Sequence, residues 1–149
     1  MSQTAPNLEN YQLANFTQRN PTVRIIFYPI NNSIEKEDAG NSTEIFLKEF
    51  QDLVEQHYHE DHFRAKQLAK MLHISESQLF RRLKTLTNQG FASYLRFYRL
   101  RKAKELIERA EGLNISEIAY EVGFTDPNYF SRAFSQVFGQ SPSLSLIHI

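Results

Sequence analysis

The sequence contains an internal repeat, which constrains the fold more than any other feature. The segment QLAKMLHISESQLFRRL, beginning at Gln67, matches EIAYEVGFTDPNYFSRAF, beginning at Glu117, at an offset of 50 residues that becomes 51 after the extra Thr125. In each copy apolar residues recur at three- and four-residue steps on both sides of a turn, which predicts a short helix, a tight turn and a second helix. This is the organisation of a helix-turn-helix, and many helical bundles contain one copy without binding anything. Two copies are stronger evidence for DNA binding. The second helix of a DNA-binding helix-turn-helix enters the major groove.

Helix start and stop signals lie at the expected places in both copies. Ser75 with Gln78, and Asn114 with Glu117, form the sequence pattern of a capping box, in which each residue satisfies a free backbone N–H near the other. The segment from Asp126 to Gly139 reads as an N-cap, a proline at the first helical position and a terminating glycine. The predicted second helices therefore cover about residues 76–87 and 127–138.

The rest of the chain after residue 42 is also helical in pattern. Ser42-Thr43-Glu44 predicts the start of a first helix, and Gly90 and Gly112 bracket a long fourth helix. The predicted fold is all-α, with two helix-turn-helix units joined by this linking helix and six to seven helices in total. The residues expected on the inner faces of the linking helix and the last long helix are Leu95, Tyr98, Ala103, Leu106, Ile107, Ala110, Phe130, Ala133, Phe134, Val137 and Phe138.

Residues 1–42 are rich in Asn, Gln, Ser and Thr and have no helical period. Thr22–Ile30 has the composition of one short strand, which Pro29 restricts to a sheet edge. We predict a linker or partly ordered N-terminal tail over 1–42 and one domain over 43–143.

Composition narrows the class of protein. The chain has 149 residues and no cysteine, which excludes disulfides, cysteine-ligated zinc and cysteine nucleophiles. No apolar run is long enough to cross a bilayer and no secretion signal is present, so we expect a cytoplasmic protein. The formal net charge is zero, but residues 1–61 hold 4 Lys and Arg against 10 acidic residues, whereas residues 62–149 hold 13 against 7. The basic second part indicates contact with an anion, or else two unevenly solvated surfaces.

Three segments, in this order, carry a resemblance to a known family: FRAKQLAKMLHISESQLFRRLKTLT, RLRKAKELI and NISEIAYEVGFTDPNYFSRAFSQVFGQSP. They closely resemble the DNA-binding domain of AraC-type transcription regulators over about residues 44–143, and most of all the output domains of two-component and hybrid sensor proteins. The resemblance implies a sequence-specific DNA-binding regulator of transcription. It also implies two recognition helices that enter successive major-groove segments on one face of DNA, roughly 34 Å apart.

The sequence departs from the family pattern at three places. Arg64 stands where a Ser or Thr cap is usual, and Gly90-Phe91 replaces Ser-Pro, so both helix starts are expected to be weaker. After residue 143 the family usually continues with a closing helix, whereas this chain ends LSLIHI. That string resembles one translation frame of a sequencing-library adapter. We therefore expect Leu144–Ile149 to be non-native, with a variable native tail as the alternative, and assign His148 no function.

Candidate DNA-reading residues lie off the core face of each predicted second helix. The resemblance assigns Ser77, Phe80 and Arg81 to base edges in the first unit, where partial burial is the alternative for Phe80. The side chains facing outward on the second helix are Asn128, Ser131 and Arg132, and a solvated polar face is their alternative role. Arginine and asparagine can form paired hydrogen bonds with guanine and adenine, and an aromatic ring can pack on a thymine methyl group. Candidate phosphate contacts are Arg82, Lys84, Asn114, Ser116 and Ser135.

Other positions carry weaker signals. Tyr129 is assigned either to the core edge or to a phosphate contact. Further positive charge is expected from linking-helix residues, some of which serve only solubility: Arg96, Arg99, Arg101, Lys102 and Lys104. The cluster from His57 to His62 lacks the i,i+4 histidine pair of a helical zinc site, and we expect no metal and no cofactor.

An enzyme and a protein-interaction module are the two other functional classes. An enzyme is not expected, because DNA alkylation-repair proteins with this type of domain use cysteines, and no catalytic carboxylate pair, phosphate loop or nucleophile motif is present. The other alternative is a helical protein-interaction module that has lost DNA binding. The expected partners are double-stranded DNA, RNA polymerase and a second copy joined through a missing or upstream domain, with no membrane contact.

Overall fold

The computed structural model of the protein describes residues 38–109 and 111–147, with side chains from residue 42 onward. Residues 1–37 of the predicted tail, with the edge strand at Thr22–Ile30, lie outside the described residues, whereas residues 38–42 belong to the first helix. Every regular element in the described ranges is a helix, which confirms the all-α fold. In chain order the helices are α1 Asp38–His57, α2 Ala65–Met71, α3 Glu76–Thr87, α4 Phe91–Arg109, α5 Ile115–Glu121, α6 Pro127–Phe138 and α7 Pro142–Ile147.

The described residues fall into two compact units, an N-terminal unit up to Arg96 and a C-terminal unit from Phe97. Each unit contains one copy of the repeat, with α2 packed on α3 in the first and α5 packed on α6 in the second. The division falls inside α4, so the predicted linking helix contributes residues to both units.

An aromatic cluster forms the core of the N-terminal unit. Phe50 of α1 packs edge-on against Tyr94 of α4, with ring centroids 4.8 Å apart, and Phe63 packs against Phe91 at 5.3 Å. All four rings are buried. The first helix starts at Asp38, so the predicted start at Ser42 was wrong. Serine and threonine lower the stability of a helix interior only slightly, so the Ser42-Thr43 pair does not have to mark a helix start.

The caps of α2 and α3 differ in strength. At the start of α3 the Ser75 hydroxyl accepts from the Gln78 N–H at 3.1 Å, and the Gln78 side chain accepts from the Ser75 N–H at 3.0 Å, as predicted. At the start of α2 only half of this arrangement forms. The Gln67 side chain accepts from the Arg64 N–H at 3.1 Å, but a guanidinium has no acceptor to offer in return.

The turns between the two helices of each unit have the same hydrogen bonds. In the first turn the Ile74 N–H donates to the Ala69 carbonyl oxygen and the His73 N–H to that of Lys70, at 3.0 and 3.2 Å. In the second, Phe124 and Gly123 donate to Ala119 and Tyr120 at 2.9 and 3.0 Å. Both are Schellman motifs, which place one residue in a left-handed conformation. That residue is His73, at φ 57°, in the first turn and Gly123, at φ 99°, in the second.

Phenylalanine side chains anchor α6 in the C-terminal unit. Phe130, Phe134 and Phe138 are fully buried, and the ring centroids of the last two are 4.6 Å apart. The Asp126 carboxylate caps the helix by accepting from the Asn128 N–H at 2.9 Å, and Gly139 ends it at φ 76°. Val137 is only half-buried, which corrects its predicted place in the core.

The inner face of α4 is broader than predicted. Leu95, Ala103 and Ile107 are buried as expected, whereas Tyr98 and Leu106 are half-buried. Further buried apolar residues on this helix are Phe91, Tyr94, Phe97 and Leu100. Because α4 contributes to the cores of two units, its buried positions do not follow a single stripe. Ala110 lies outside the described residues.

The final helix, α7, crosses the predicted domain boundary at residue 143. Pro142 and Ser145 are buried, and the Gln140 side-chain amide donates to the Ser145 hydroxyl at 2.9 Å. The origin of Leu144–Ile149 stays a prediction.

Candidate nucleic-acid interface

The outward face of α3 contains the side chains that the sequence assigned to base reading. Ser77, Phe80, Arg81 and Lys84 follow the i, i+3, i+4, i+7 spacing of one helix face, and all four are exposed. The Phe80 side chain is 54% exposed, so the partial burial considered for it is not observed. Burial of Leu79 and Leu83 on the opposite side of α3 explains this orientation.

Neighbouring cations on α3 have different surroundings. Arg82 is exposed, but its guanidinium carbon lies 5.0 Å from the ring centroid of Phe46 on α1, a cation–π distance. The Lys84 ammonium lies 3.4 Å from the Asn88 carbonyl oxygen at the end of the same helix. Neither Arg81 nor Arg82 pairs with a carboxylate in the described ranges.

The outward face of α6 has the same spacing. Asn128 and Arg132 are exposed, whereas Ser131 and Ser135 are half-buried. The Ser135 hydroxyl donates to the Ser131 carbonyl oxygen at 2.9 Å, so that proton is already bonded within the helix. Arg132 forms no ion pair with any residue that the structure describes.

The two outward faces correspond position by position at the repeat offset of 51. Arg81 corresponds to Arg132, and both are exposed. At the other three positions the side chains differ: Ser77 corresponds to Asn128, Phe80 to Ser131 and Lys84 to Ser135. The two faces therefore share one arginine and otherwise offer different chemistry.

The start of α5 is more fully occupied than the sequence indicated. The Asn114 side-chain oxygen accepts from the Glu117 N–H at 2.9 Å, and the Glu117 carboxylate accepts from the Asn114 N–H at 2.8 Å. This carboxylate offsets the attraction of the helix N-terminus for a phosphate. The donors left for the predicted phosphate contact are the Asn114 side-chain NH₂ and groups of Ser116, which is exposed.

Tyr129 lies at the edge of the core, and its phosphate contact stays a prediction. Its side chain is 40% exposed, and its ring packs against Phe124 with centroids 6.1 Å apart.

Cations on α4 are largely engaged within the protein. Arg99 is only 8% exposed, which corrects its predicted contribution to surface charge. Arg101 and Lys102 lie 3.7 and 3.6 Å from the Glu105 carboxylate, and Lys104 lies 4.8 Å from the ring centroid of Phe138. These partners are brought together by helical spacing and packing, which reduces the charge that the linking helix presents to an anion.

The histidine cluster after α1 forms a local polar network. His57 Nδ1 and a Glu60 carboxylate oxygen are 2.8 Å apart, and this hydrogen bond lowers the pKa of Glu60 below its usual value of 4.5. Among the described residues, no group of three or more His, Cys, Asp or Glu side chains has metal-binding geometry. Over the same ranges, no helix has the length and apolar character needed to cross a membrane.

Paired short-helix and recognition-helix units define a helix-turn-helix protein, and comparison with known families agrees. The family model described as "Helix-turn-helix domain" matches residues 68–144, more than half of the chain. The chain belongs to this family, and within it to the AraC type, which confirms the resemblance stated above.

Named relatives support this assignment. The Msm operon regulatory protein of Streptococcus mutans is 32% identical over 107 residues, covering 72% of this chain and 38% of that protein. The chain spans less than half the length of the curated relatives named alongside it. Its curated matches extend to a histidine kinase and to HTH-type transcriptional activators.

Solved structures show the same fold. The C-terminal domain of the two-component response regulator yesN from Fusobacterium nucleatum is 31% identical, with a TM-score of 0.61, and the match covers 71% of this chain and 98% of that domain. The DNA-binding domain of the global transcriptional factor AdpA, solved in complex with a target DNA, is 26% identical with a TM-score of 0.62, covering 68% and 89%. The first of these agrees with the expected likeness to output domains of two-component regulators.

Proposed function

We propose that this chain is the sequence-specific DNA-binding part of a transcription regulator, with α3 and α6 reading successive major-groove segments of double-stranded DNA. The observation that carries the proposal is the pair of outward faces at corresponding positions of two helix-turn-helix units. Each face holds an exposed arginine without a carboxylate partner in the described ranges. A solvated surface has no need of an exposed arginine at the same position of both units, whereas guanine reading by each unit would use it.

The residue types on each face indicate which bases they would read. Arg81 and Arg132 suit guanine through two hydrogen bonds, and Asn128 suits adenine. Phe80 suits the methyl group of thymine, and the Ser77 and Ser131 hydroxyls suit either type of base edge. The two helices would therefore read unequal sequences that share a guanine.

Phosphate contacts would supply affinity rather than sequence preference. The proposed contacts from the N-terminal unit are Arg82 and Lys84, and those from the C-terminal unit are Asn114, Ser116 and Ser135. Because their binding releases condensed counterions, affinity should fall steeply as salt rises.

The proposal extends to the location and the partners of the whole protein. A non-enzymatic regulator would act in the cytoplasm, contact RNA polymerase and form a homodimer through a missing or upstream domain. The alternative, a protein-interaction module without DNA binding, would use the same exposed faces for a protein partner. The regulators among its relatives and the DNA complex of AdpA favour DNA.

Selection of short duplexes from a random pool tests the proposal. The wild-type chain should enrich one sequence class, and Arg81→Ala or Arg132→Ala should each weaken binding to it by about 1–3 kcal/mol. The matched control is Arg109→Ala, which removes an exposed arginine from the end of α4. This control should leave the sequence preference unchanged.

The two arginine variants should also relax preference at different base positions, because they lie on different helices. A pool with no enrichment over a random control would refute the proposal. Equal effects of all three substitutions would reduce the interaction to nonspecific charge.

A further inference from the structure

A cleft lies between α1 and α3 in the N-terminal unit, and Arg81 is the one base-reading residue in its described lining. Its volume is about 460 Å³, within the range of roughly 300–1,000 Å³ typical of small-molecule sites. Its lining includes Ser42, Thr43 and Phe46 of α1, and Arg81, Arg82 and Thr85 of α3.

The cleft is strongly basic. Two adjacent arginines line it, and no acidic side chain does among the residues whose side chains the structure describes. Neither arginine is neutralised by a carboxylate within residues 42–109 and 111–147. Stacking on Phe46 at 5.0 Å restricts the Arg82 guanidinium, so less side-chain entropy would be lost on binding an anion.

Hydroxyl groups complete the donor set. Ser42 brings a hydroxyl from α1, whereas the Thr85 hydroxyl already donates to the Arg81 carbonyl oxygen at 2.9 Å. Guanidinium groups with nearby hydroxyls are preferred partners of phosphate, because planar N–H pairs match its oxygens. The volume would hold roughly fifteen waters at about 30 Å³ each, which leaves room for an organic group beside the phosphate.

We propose that this cleft binds the phosphate group of a small organic phosphate, and that the bound ligand competes with DNA for Arg81. The competition rests on the proposed function, because Arg81 lines the cleft and also lies on the outward face of α3. One guanidinium cannot bind a cleft phosphate and a guanine at once. Ligand binding would thereby lower the affinity of the N-terminal unit for its DNA segment.

A DNA backbone phosphate has the same chemistry as the ligand phosphate, so the first experiment omits DNA. Phenyl phosphate serves as the probe and is titrated into the ¹⁵N-labelled 149-residue chain while the arginine Nε–Hε signals are followed. The signals of Arg81 and Arg82 should shift saturably. Benzyl alcohol, and sodium chloride at matched ionic strength, should not reproduce the shift.

A matched pair of variants locates the site. Ser42→Glu adds a carboxylate to the cleft and should weaken phenyl phosphate binding about tenfold or more, because like charges repel at short range. Gln56→Glu makes the same charge change at an exposed position of α1 outside the cleft and should leave phenyl phosphate binding unchanged. Circular dichroism should show the same helix content in both.

The second experiment measures competition by fluorescence anisotropy with the enriched duplex. Phenyl phosphate should raise the apparent Kd of the wild type and of Gln56→Glu, and should have at least about tenfold less potency on Ser42→Glu. No saturable shift without DNA, or equal phenyl phosphate affinity of the two variants, would overturn the cleft as a ligand site.

The two proposals fail separately. Duplex binding without any phenyl phosphate binding would refute the ligand site and leave the DNA function standing. Saturable phenyl phosphate binding by a chain that enriches no duplex would refute the competition together with the DNA function.

Discussion

Substituting the left-handed residue in each of the two Schellman turns should change stability in opposite directions. His73 and Gly123 occupy equivalent left-handed positions in turns with the same hydrogen bonds. A left-handed conformation costs an L-residue about 1–2 kcal/mol, and histidine is among the residues that tolerate it better. Glycine adopts it without this strain but gives the unfolded chain about 0.4–1 kcal/mol of extra conformational entropy. The difference between these two terms sets the expected effect.

For His73→Gly the net result should be a stabilisation of about 0.5 kcal/mol, because the relieved strain exceeds the entropy term. The exposed His73 side chain has no described partner to lose. For Gly123→Ala the strain acts in the other direction, and the position is also buried. Crowding at a packed site adds about 1–3 kcal/mol, so the total destabilisation should be about 2 kcal/mol.

Gly112→Ala separates strain from crowding. Gly112 also has a positive φ, 77°, but a Cβ there would meet nothing within 4 Å. Its substitution should destabilise the protein by only about 0.5–1 kcal/mol. Urea denaturation followed by circular dichroism measures all three differences as shifts of the midpoint at constant slope.

The reasoning would be refuted by either of two results. If Gly123→Ala destabilised the protein no more than Gly112→Ala, burial at the second turn would have no energetic role. If His73→Gly lowered stability by more than about 0.5 kcal/mol, the left-handed residue in the first turn would not be strained.

Three further predictions concern other parts of the fold. Phe134→Ala should destabilise by about 3–5 kcal/mol in urea, because it empties a fully buried site beside Phe138, whereas Phe134→Leu should cost less than about 1.5 kcal/mol. Gly90→Ser should stabilise the protein by about 0.4–1 kcal/mol and so raise the thermal midpoint. A Cβ at this position meets nothing within 4 Å, and serine is a better helix cap than glycine. An unchanged midpoint would contradict this prediction. The hydrogen bond with His57 lowers the pKa of Glu60 in the folded state, so ionised Glu60 stabilises the fold. This stabilisation is present above the pKa of the unfolded state and is lost as pH falls through the folded pKa. The free energy of unfolding of Glu60→Gln should therefore depend less on pH on the acid side.

Local signals in the sequence predicted local structure well. The caps at Ser75, Asn114 and Asp126 depend only on residues two or three positions away, and each forms the predicted hydrogen bond. Positions on the outward faces of α3 and α6 also followed from helical spacing, because the buried side of each helix is strongly apolar. The start of α1 was placed wrongly because serine and threonine are compatible with a helix interior as well as with a helix cap.

Properties that depend on tertiary neighbours were not predictable in the same way. Burial of Arg99 and stacking of Arg82 on Phe46 require knowledge of which helices meet, and charge alone marked both residues as available to DNA. The cleft that Arg82 lines was not predictable from the sequence either. Its lining comes from two helices about forty residues apart in sequence, with no motif of its own.

The unequal outward faces have a consequence for how the protein would lie on a promoter. A protein that reads DNA with two identical faces related by a two-fold axis recognises a palindrome and has no preferred direction. Here Phe80 and Ser131 occupy corresponding positions on one chain, so a cognate site would be directional. Inverting that site would turn the whole protein around, together with any segments attached to this chain. The side chain at a single repeat position would thereby help determine which way the regulator faces.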